Sequence, residues 1–274
     1  MNKEELPPIL YKYRTWSNEH HKQMLTHNEI WFAEPQSFND PFDCTIPVRY
    51  EDLTVIERIE HFMKGLPKAF PSQSGDENAQ EAIQWAKMWD EPGTPGRFAE
   101  AKMKMLNEIY GMFTASSTRE NILMWSHYAD YHRGMTVGFH TERMMSSLAS
   151  GRDRSGLDFR LDSVEYCHDY PLLRPDKVAD EGWFSEQFLV KSEQWSYEKE
   201  YRATLIGPPK ILEKERKQVL DSEVIAEVIL GCRMPEEHKD QIFDILKKRA
   251  SHVRLLQAVQ SKTQFALGFE AIEY

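Results

Sequence analysis

Three cysteines in 274 residues, Cys44, Cys167 and Cys232, lie far apart and form no Cys-x-x-Cys pair. An odd, scattered set supplies neither a zinc knuckle nor a dithiol redox centre, so reduced, buried thiols are expected. No stretch approaches the about 20 consecutive apolar residues of a membrane-spanning helix. The opening run MNKEELPPILYKYR has neither an apolar core nor a small-residue cleavage site. A soluble, cytoplasmic protein with no membrane partner is the expectation. Basic residues are the minority, 34 Lys and Arg against 44 Asp and Glu, for a net charge of −10. Many cationic contacts are what hold phosphate backbones, so this balance argues against a broad nucleic-acid-binding face. Walker A, GxGxxG, GxSxG and HExxH patterns are absent, as is any solenoid-like repeat. His127 and His132 are five positions apart, which on a helix separates them by about 140°. That is poor zinc geometry, and no metal is expected.

What remains describes a folded chain: 28% charged and 12% aromatic residues place it among globular proteins. Period-two alternation predicts a strand over residues 9–15, followed by a helix that Ser17 caps and that runs to His27. A second strand over 29–33 stops at Pro35. Residues 51–110 turn helical, with Ile56, Ile59 and Met63 on one face, interrupted by loop chemistry from Pro71 and again from Asp90. Strands follow over 112–116, 134–139, 159–166, 201–206, 224–230, 253–259 and 265–272. Helices are predicted over 121–132, 176–194 and 236–250. The uneven spacing fits α+β, with a mixed, mostly antiparallel sheet, better than a doubly wound parallel one. Residues 1–274 read as a single domain in which 51–110 is a helical insertion.

Four clusters concentrate polar groups beside aromatics. They are Tyr11-Lys12-Tyr13-Arg14, Phe38-Asn39-Asp40-Pro41-Phe42-Asp43, Met124-Trp125-Ser126-His127-Tyr128-Ala129, and Trp195-Ser196-Tyr197-Glu198-Lys199-Glu200-Tyr201-Arg202. Each has an ordinary structural reading. Asn-Asp-Pro makes tight Asx turns, Trp125 and Tyr128 suit a core, and alternating acids suit a solvated strand face. A restriction-type nuclease needs Asp followed by Glu-x-Lys, and Glu198-Lys199-Glu200 fails that order.

Taken in order, FNDPFD, MWSHYAD and the WxYExEYR run, with the late Val228-Ile229-Leu230-Gly231-Cys232 strand, resemble an uncharacterised bacterial domain-of-unknown-function family. The likeness runs from about Leu10 to Phe269 and implies that the four clusters form one site. A more distant resemblance is to ADP-ribosyltransferases. These begin with a strand bearing Arg or His, continue with a Ser/Thr-rich strand, and end with a strand carrying Glu-x-Glu. Arg14, Thr114-Ala115-Ser116-Ser117 and Glu198-Lys199-Glu200 follow that order, without a clean Ser-Thr-Ser.

The resemblance implies an NAD-consuming enzyme, a toxin or defence effector, with a nucleotide-type small molecule as substrate and no metal. Glu200 would stabilise the oxocarbenium-like sugar, and Glu198, on the same strand face, would orient or deprotonate the acceptor. Tyr13, Arg14, Ser116, Tyr128, Asn39 and Asp40 would bind NAD, with Arg14 on a phosphate or ribose and Tyr13 or Tyr128 on the nicotinamide. Glu200→Gln is expected to leave the fold intact. Two other readings stand beside this one. One is a metal-dependent phosphodiesterase using Asp40, Asp43, Glu198 and Glu200 as oxygen ligands. The other is a non-catalytic module that binds a nucleotide or peptide.

Overall fold

A computed structural model describes residues 5–150, 156–175, 187–207, 209–250 and 252–274. In chain order the elements begin with β1 (Ile9–Arg14), α1 (Glu19–Thr26), β2 (Glu29–Trp31), α2 (Val55–Ala69), α3 (Gly75–Met88) and α4 (Thr94–Ile109). Next come β3 (Tyr110–Ser116), α5 (Ile122–Tyr128), β4 (Met135–His140), α6 (Thr141–Ser150), β5 (Asp158–Ser163), β6 (Glu165–Cys167) and β7 (Val190–Ser192). A 3-10 helix, Glu193–Glu198, leads into β8 (Glu200–Ile206). The chain ends with β9 (Lys217–Val219), β10 (Ile225–Leu230), α7 (Glu236–Arg249), β11 (Arg254–Gln260) and β12 (Leu267–Ala271). The class is α+β. The chain divides into two compact units, one of Met1–Glu34, Ile109–Val164 and Gln194–Tyr274, the other of Pro35–Glu108 and Glu165–Glu193.

The first unit is built on an eight-stranded sheet of order β12-β11-β10-β4-β1-β3-β8-β5. Only β10 and β11 run parallel, a pairing made through the crossover helix α7; the other neighbours are antiparallel. Alternation along the strands divides the side chains between two faces. One face is the apolar core: Leu10, Phe113, Val137, Phe139, Leu205, Val228 and Leu255 pack with Leu25 of α1, Met144 of α6 and Leu246 of α7. Burying each such side chain contributes about 1.5–3 kcal/mol. The opposite face carries a smaller cluster, in which Tyr11, Tyr13, Ile229, Leu256 and Ala258 meet Met124, Trp125 and Ala129 from α5 and its end.

In the second unit α2 and α3 pack through Phe62, Leu66, Ala82, Ala86 and Trp89, with Tyr50 among them. The buried Arg58 ties this cluster together, donating to the Tyr50 carbonyl at 3.0 Å and to Asp90 at 2.8 Å. A short parallel pair, β6 with β7, belongs to the same unit.

Several boundaries differ from the periodicity, each for a local reason. Asn18, not Ser17, caps α1, its side chain accepting from the His20 N–H. The stretch after Pro71 becomes helix at Gly75, because Ser74 and Glu77 form a reciprocal capping box. On α2 Ile59 and Met63 pack, partly buried, against the cluster of Phe62 and Leu66, whereas Ile56 of the expected face is 70% exposed. The helix over 121–132 stops at Tyr128, since Asp130, Tyr131 and His132 all take positive φ. The strand over 159–166 breaks at Val164 into β5 and β6. Of the helix over 176–194, residues 176–186 lie outside the described residues; Gln187 and Phe188 are helical, after which Val190–Ser192 is strand and Glu193–Glu198 a 3-10 helix. All three cysteines are free, but only Cys44 is buried. Among the described residues no helix is long and apolar enough to cross a membrane.

Candidate functional site

The sheet registers of the first unit bring one residue from each of six adjacent strands into a line. Arg254 lies opposite Glu227, Glu227 opposite Gly138, Gly138 opposite Tyr11, Tyr11 opposite Ser116, and Ser116 opposite Glu200. All are on the face away from the main apolar core. Four strand spacings separate Glu227 from Glu200, about 19 Å. Ionisable groups in such a row are costly to bury without partners, and each of the two carboxylates has one.

At one end Glu227 interrupts the apolar strand IAEVIL and is 2% exposed. It accepts from the Tyr11 hydroxyl at 3.0 Å and from Arg119 Nη1 at 2.6 Å, with Arg254 Nη2 at 3.6 Å. Burial and the adjacent Glu227 charge push the Tyr11 phenol up to about 12. Arg119 also lies over the Phe269 ring, 4.8 Å from its centroid. Gly138 makes this reach possible. A Cβ there would stand 3.0 Å from Glu227 Cγ and from Ile9 Cγ2, and 3.1 Å from Tyr11 Cε1.

At the other end Glu200 is 5% exposed and accepts from Arg202 Nε at 2.7 Å, the arginine being fully buried. Opposite it, Ser116 donates to the Glu198 carbonyl at 2.5 Å. The Glu198 carboxylate accepts from the Tyr128 hydroxyl at 2.7 Å, which joins α5 to the approach of β8. Asn121, the cap of α5, adds a bond to the Tyr197 carbonyl at 3.0 Å. Above this lies Trp125, fully buried, edge-on to Tyr13 at 5.3 Å and donating to the Arg119 carbonyl at 2.8 Å. Tyr13 closes the layer with a 2.8 Å bond to the Thr118 carbonyl, and burial raises its phenol far above the usual tyrosine range. Two buried hydroxyls on this face, Thr136 and Thr204, have no hydrogen-bond partner among the described residues.

Of the residues singled out in the sequence, the structure brings Tyr13, Ser116, Tyr128, Glu198 and Glu200 to this face. Three expectations change. Glu198 does not share a strand face with Glu200, because it ends a 3-10 helix and Lys199 between them takes φ 44. Arg14 is not with them. Alternation along β1 sends it to the helix-covered face, where burial lowers its guanidinium to about 10 and its charge helps hold His21 of α1 neutral. Glu200 is not a carboxylate that contributes little to the fold, since it neutralises a fully buried arginine. Lys12 spans to the carbonyl and hydroxyl of Thr114, where β1 and β3 pair through Tyr11 and Ser116.

Asn39 and Asp40 belong to the second unit. Asn39 is exposed, and Asp40 forms the turn its sequence suggests, accepting from the Phe42 N–H at 2.9 Å. Asp43 is buried with Lys191, 3.7 Å away. Among the described residues no three His, Cys, Asp or Glu side chains are grouped to hold a metal ion. The sequence reading missed Glu227, Arg119 and Gly138. A lone acid in an otherwise apolar strand was the available signal.

Residues 124–203 match a family described as a protein of unknown function (DUF2971). The match starts at MWSHYAD and ends just after WSYEKEYR, the two runs that the Tyr128–Glu198 bond joins; FNDPFD lies outside it. No curated protein and no solved structure matches the chain.

Proposed function

We propose that this polar face belongs to a cytoplasmic, NAD-consuming enzyme of ADP-ribosyltransferase type, which cleaves the nicotinamide–ribose bond and transfers the sugar to an acceptor. The observation that carries the reading is the state of Glu200: a carboxylate removed from water and paired with buried Arg202 at 2.7 Å. A carboxylate fixed in a dry site stabilises a developing oxocarbenium ion. As the C–N bond breaks, its electron pair leaves with the nicotinamide ring, which becomes neutral. An acceptor hydroxyl, or water, then attacks the sugar carbon. Glu198, held by Tyr128, takes the acceptor's proton. Arg14, on the other face, has no part in this assignment.

The test is incubation of the purified protein with NAD, with and without a chelator of divalent cations, and chromatographic measurement of free nicotinamide. Release that persists under chelation is expected. No release, or release abolished by the chelator, overturns the proposal.

A further inference from the structure

β12 is an edge of the eight-stranded sheet; among the described residues it pairs with β11 alone. The bonds beyond its two ends fix which way its backbone points. The Ile272 N–H donates to the Leu255 carbonyl at 3.0 Å, and the Ser261 N–H to the Ala266 carbonyl at 3.0 Å. Between them the register runs without a shift, with Gln257 opposite Glu270 and Val259 opposite Gly268. Alternation therefore turns the N–H and C=O groups of Gly268 and Glu270 toward β11. Those of Leu267, Phe269 and Ala271 point outward, past the edge.

An open edge of this kind is usually guarded by Lys, Pro, a bulge or a run of charge. β5, at the other edge, is so guarded, with Asp158, Arg160 and Asp162 at alternate positions. β12, LGFEA, has no Lys, Arg or Pro and no bulge, and its one charge is Glu270. Beside the edge is apolar surface. Leu267 and Phe269 are half-buried, and Phe265, at the tip of the β11–β12 hairpin, is 99% exposed.

A free edge is completed by another extended strand, and the sequence of β12 suits a second β12. Laid antiparallel about a twofold axis through Phe269, two such strands set Phe269 against Phe269, Leu267 against Ala271 and Gly268 against Glu270. Every outward N–H and C=O then meets its complement. Glu270 faces a glycine, so the carboxylates of the two copies do not oppose each other. The pairing is isologous and closes on itself, leaving no open edge at β12.

We infer that two copies of this chain pair through β12 and join their sheets into one. Sedimentation equilibrium of the full chain tests this. The wild type is expected to reach twice the 32.2 kDa of the chain, with a dissociation constant of about 1–100 µM, as suits a small interface. Ala271→Pro removes an outward N–H that the β11 ladder does not use, and is expected to yield a monomer. Gly268→Glu and Gly268→Lys put comparable bulk beside Val259 Cγ2, 3.2 Å from the new Cβ, but opposite charges across from Glu270 of the partner subunit. The lysine variant is expected to dimerise at least about 10-fold more tightly than the glutamate variant. Circular dichroism checks each fold, and the two Gly268 variants decide the matter if Ala271→Pro does not fold. A wild type that stays monomeric at about 500 µM, a dimer that survives in Ala271→Pro, or equal dissociation constants for the two Gly268 variants overturns the inference.

Discussion

Gly138 tests the polar row without removing any ionisable group. Its replacement by alanine places a methyl between Glu227 Cγ, Ile9 Cγ2 and Tyr11 Cε1, at 3.0, 3.0 and 3.1 Å. These are side-chain atoms, so the neighbours shift, but Tyr11 is 8% and Glu227 2% exposed and neither has open space to enter. Overpacking of this kind costs about 1–3 kcal/mol, offset by about 0.4–1 kcal/mol from the stiffer unfolded chain. The net expectation is a loss of about 1–2 kcal/mol. Its source is specific: the phenol is pushed away from Glu227. Tyr11→Phe removes the same 3.0 Å bond by deletion, and a hydrogen bond to a charged group is worth about 1.5–3 kcal/mol. The two changes should therefore not add. In a double-mutant cycle followed by urea unfolding and far-ultraviolet circular dichroism, a coupling of about 1 kcal/mol is expected. Strict additivity would refute the view that Gly138 is small so that Tyr11 can reach across β4.

Two further expectations concern stability. Trp125→Ala removes a fully buried indole, its 2.8 Å bond to the Arg119 carbonyl and the edge contact with Tyr13, and should cost about 3–5 kcal/mol. A loss below about 1 kcal/mol in equilibrium unfolding would show that the ring supports the fold little. His21 is pushed down to about 4, first by burial and then by Arg14, so between pH 6.5 and 4 the unfolded chain takes up a proton that the folded one refuses. Stability should fall as pH drops through that window. Partial screening leaves an effect on the order of 1–2 kcal/mol. A wild-type minus His21→Gln stability difference that stays flat from pH 7 to 4 would contradict it.

The strands of the main sheet were legible in the sequence, β1 through its period-two alternation. The row across them was not legible, since it depends on pairing residues as distant as Tyr11 and Glu227. Those partners are chosen by strand order, not by local pattern. MWSHYAD and WSYEKEYR could be suspected of acting together from their composition, yet the bond that unites them, Tyr128 to Glu198, joins positions 70 residues apart. The misplacement of Glu198 has a local cause. Glu-Lys-Glu reads as strand, but Lys199 at φ 44 turns the chain before β8 begins. Gly75 hid the start of α3, although Ser74 and Glu77 already spelled a capping box. Arg14 was misassigned because its type fits phosphate binding, while alternation along β1 had already placed it with Leu10 and not with Tyr13.

Glu200 is the residue on which the proposed chemistry depends. Glu200→Gln retains an oxygen for Arg202 Nε but removes the charge that neutralises it, so a stability loss of about 3–5 kcal/mol is expected, and folding is checked by circular dichroism before any assay. Initial rates of nicotinamide release from NAD should then fall on the order of 10²–10³-fold relative to wild type, the scale of losing one electrostatic stabiliser. Equal rates from the folded variant and the wild type would contradict the assignment of Glu200.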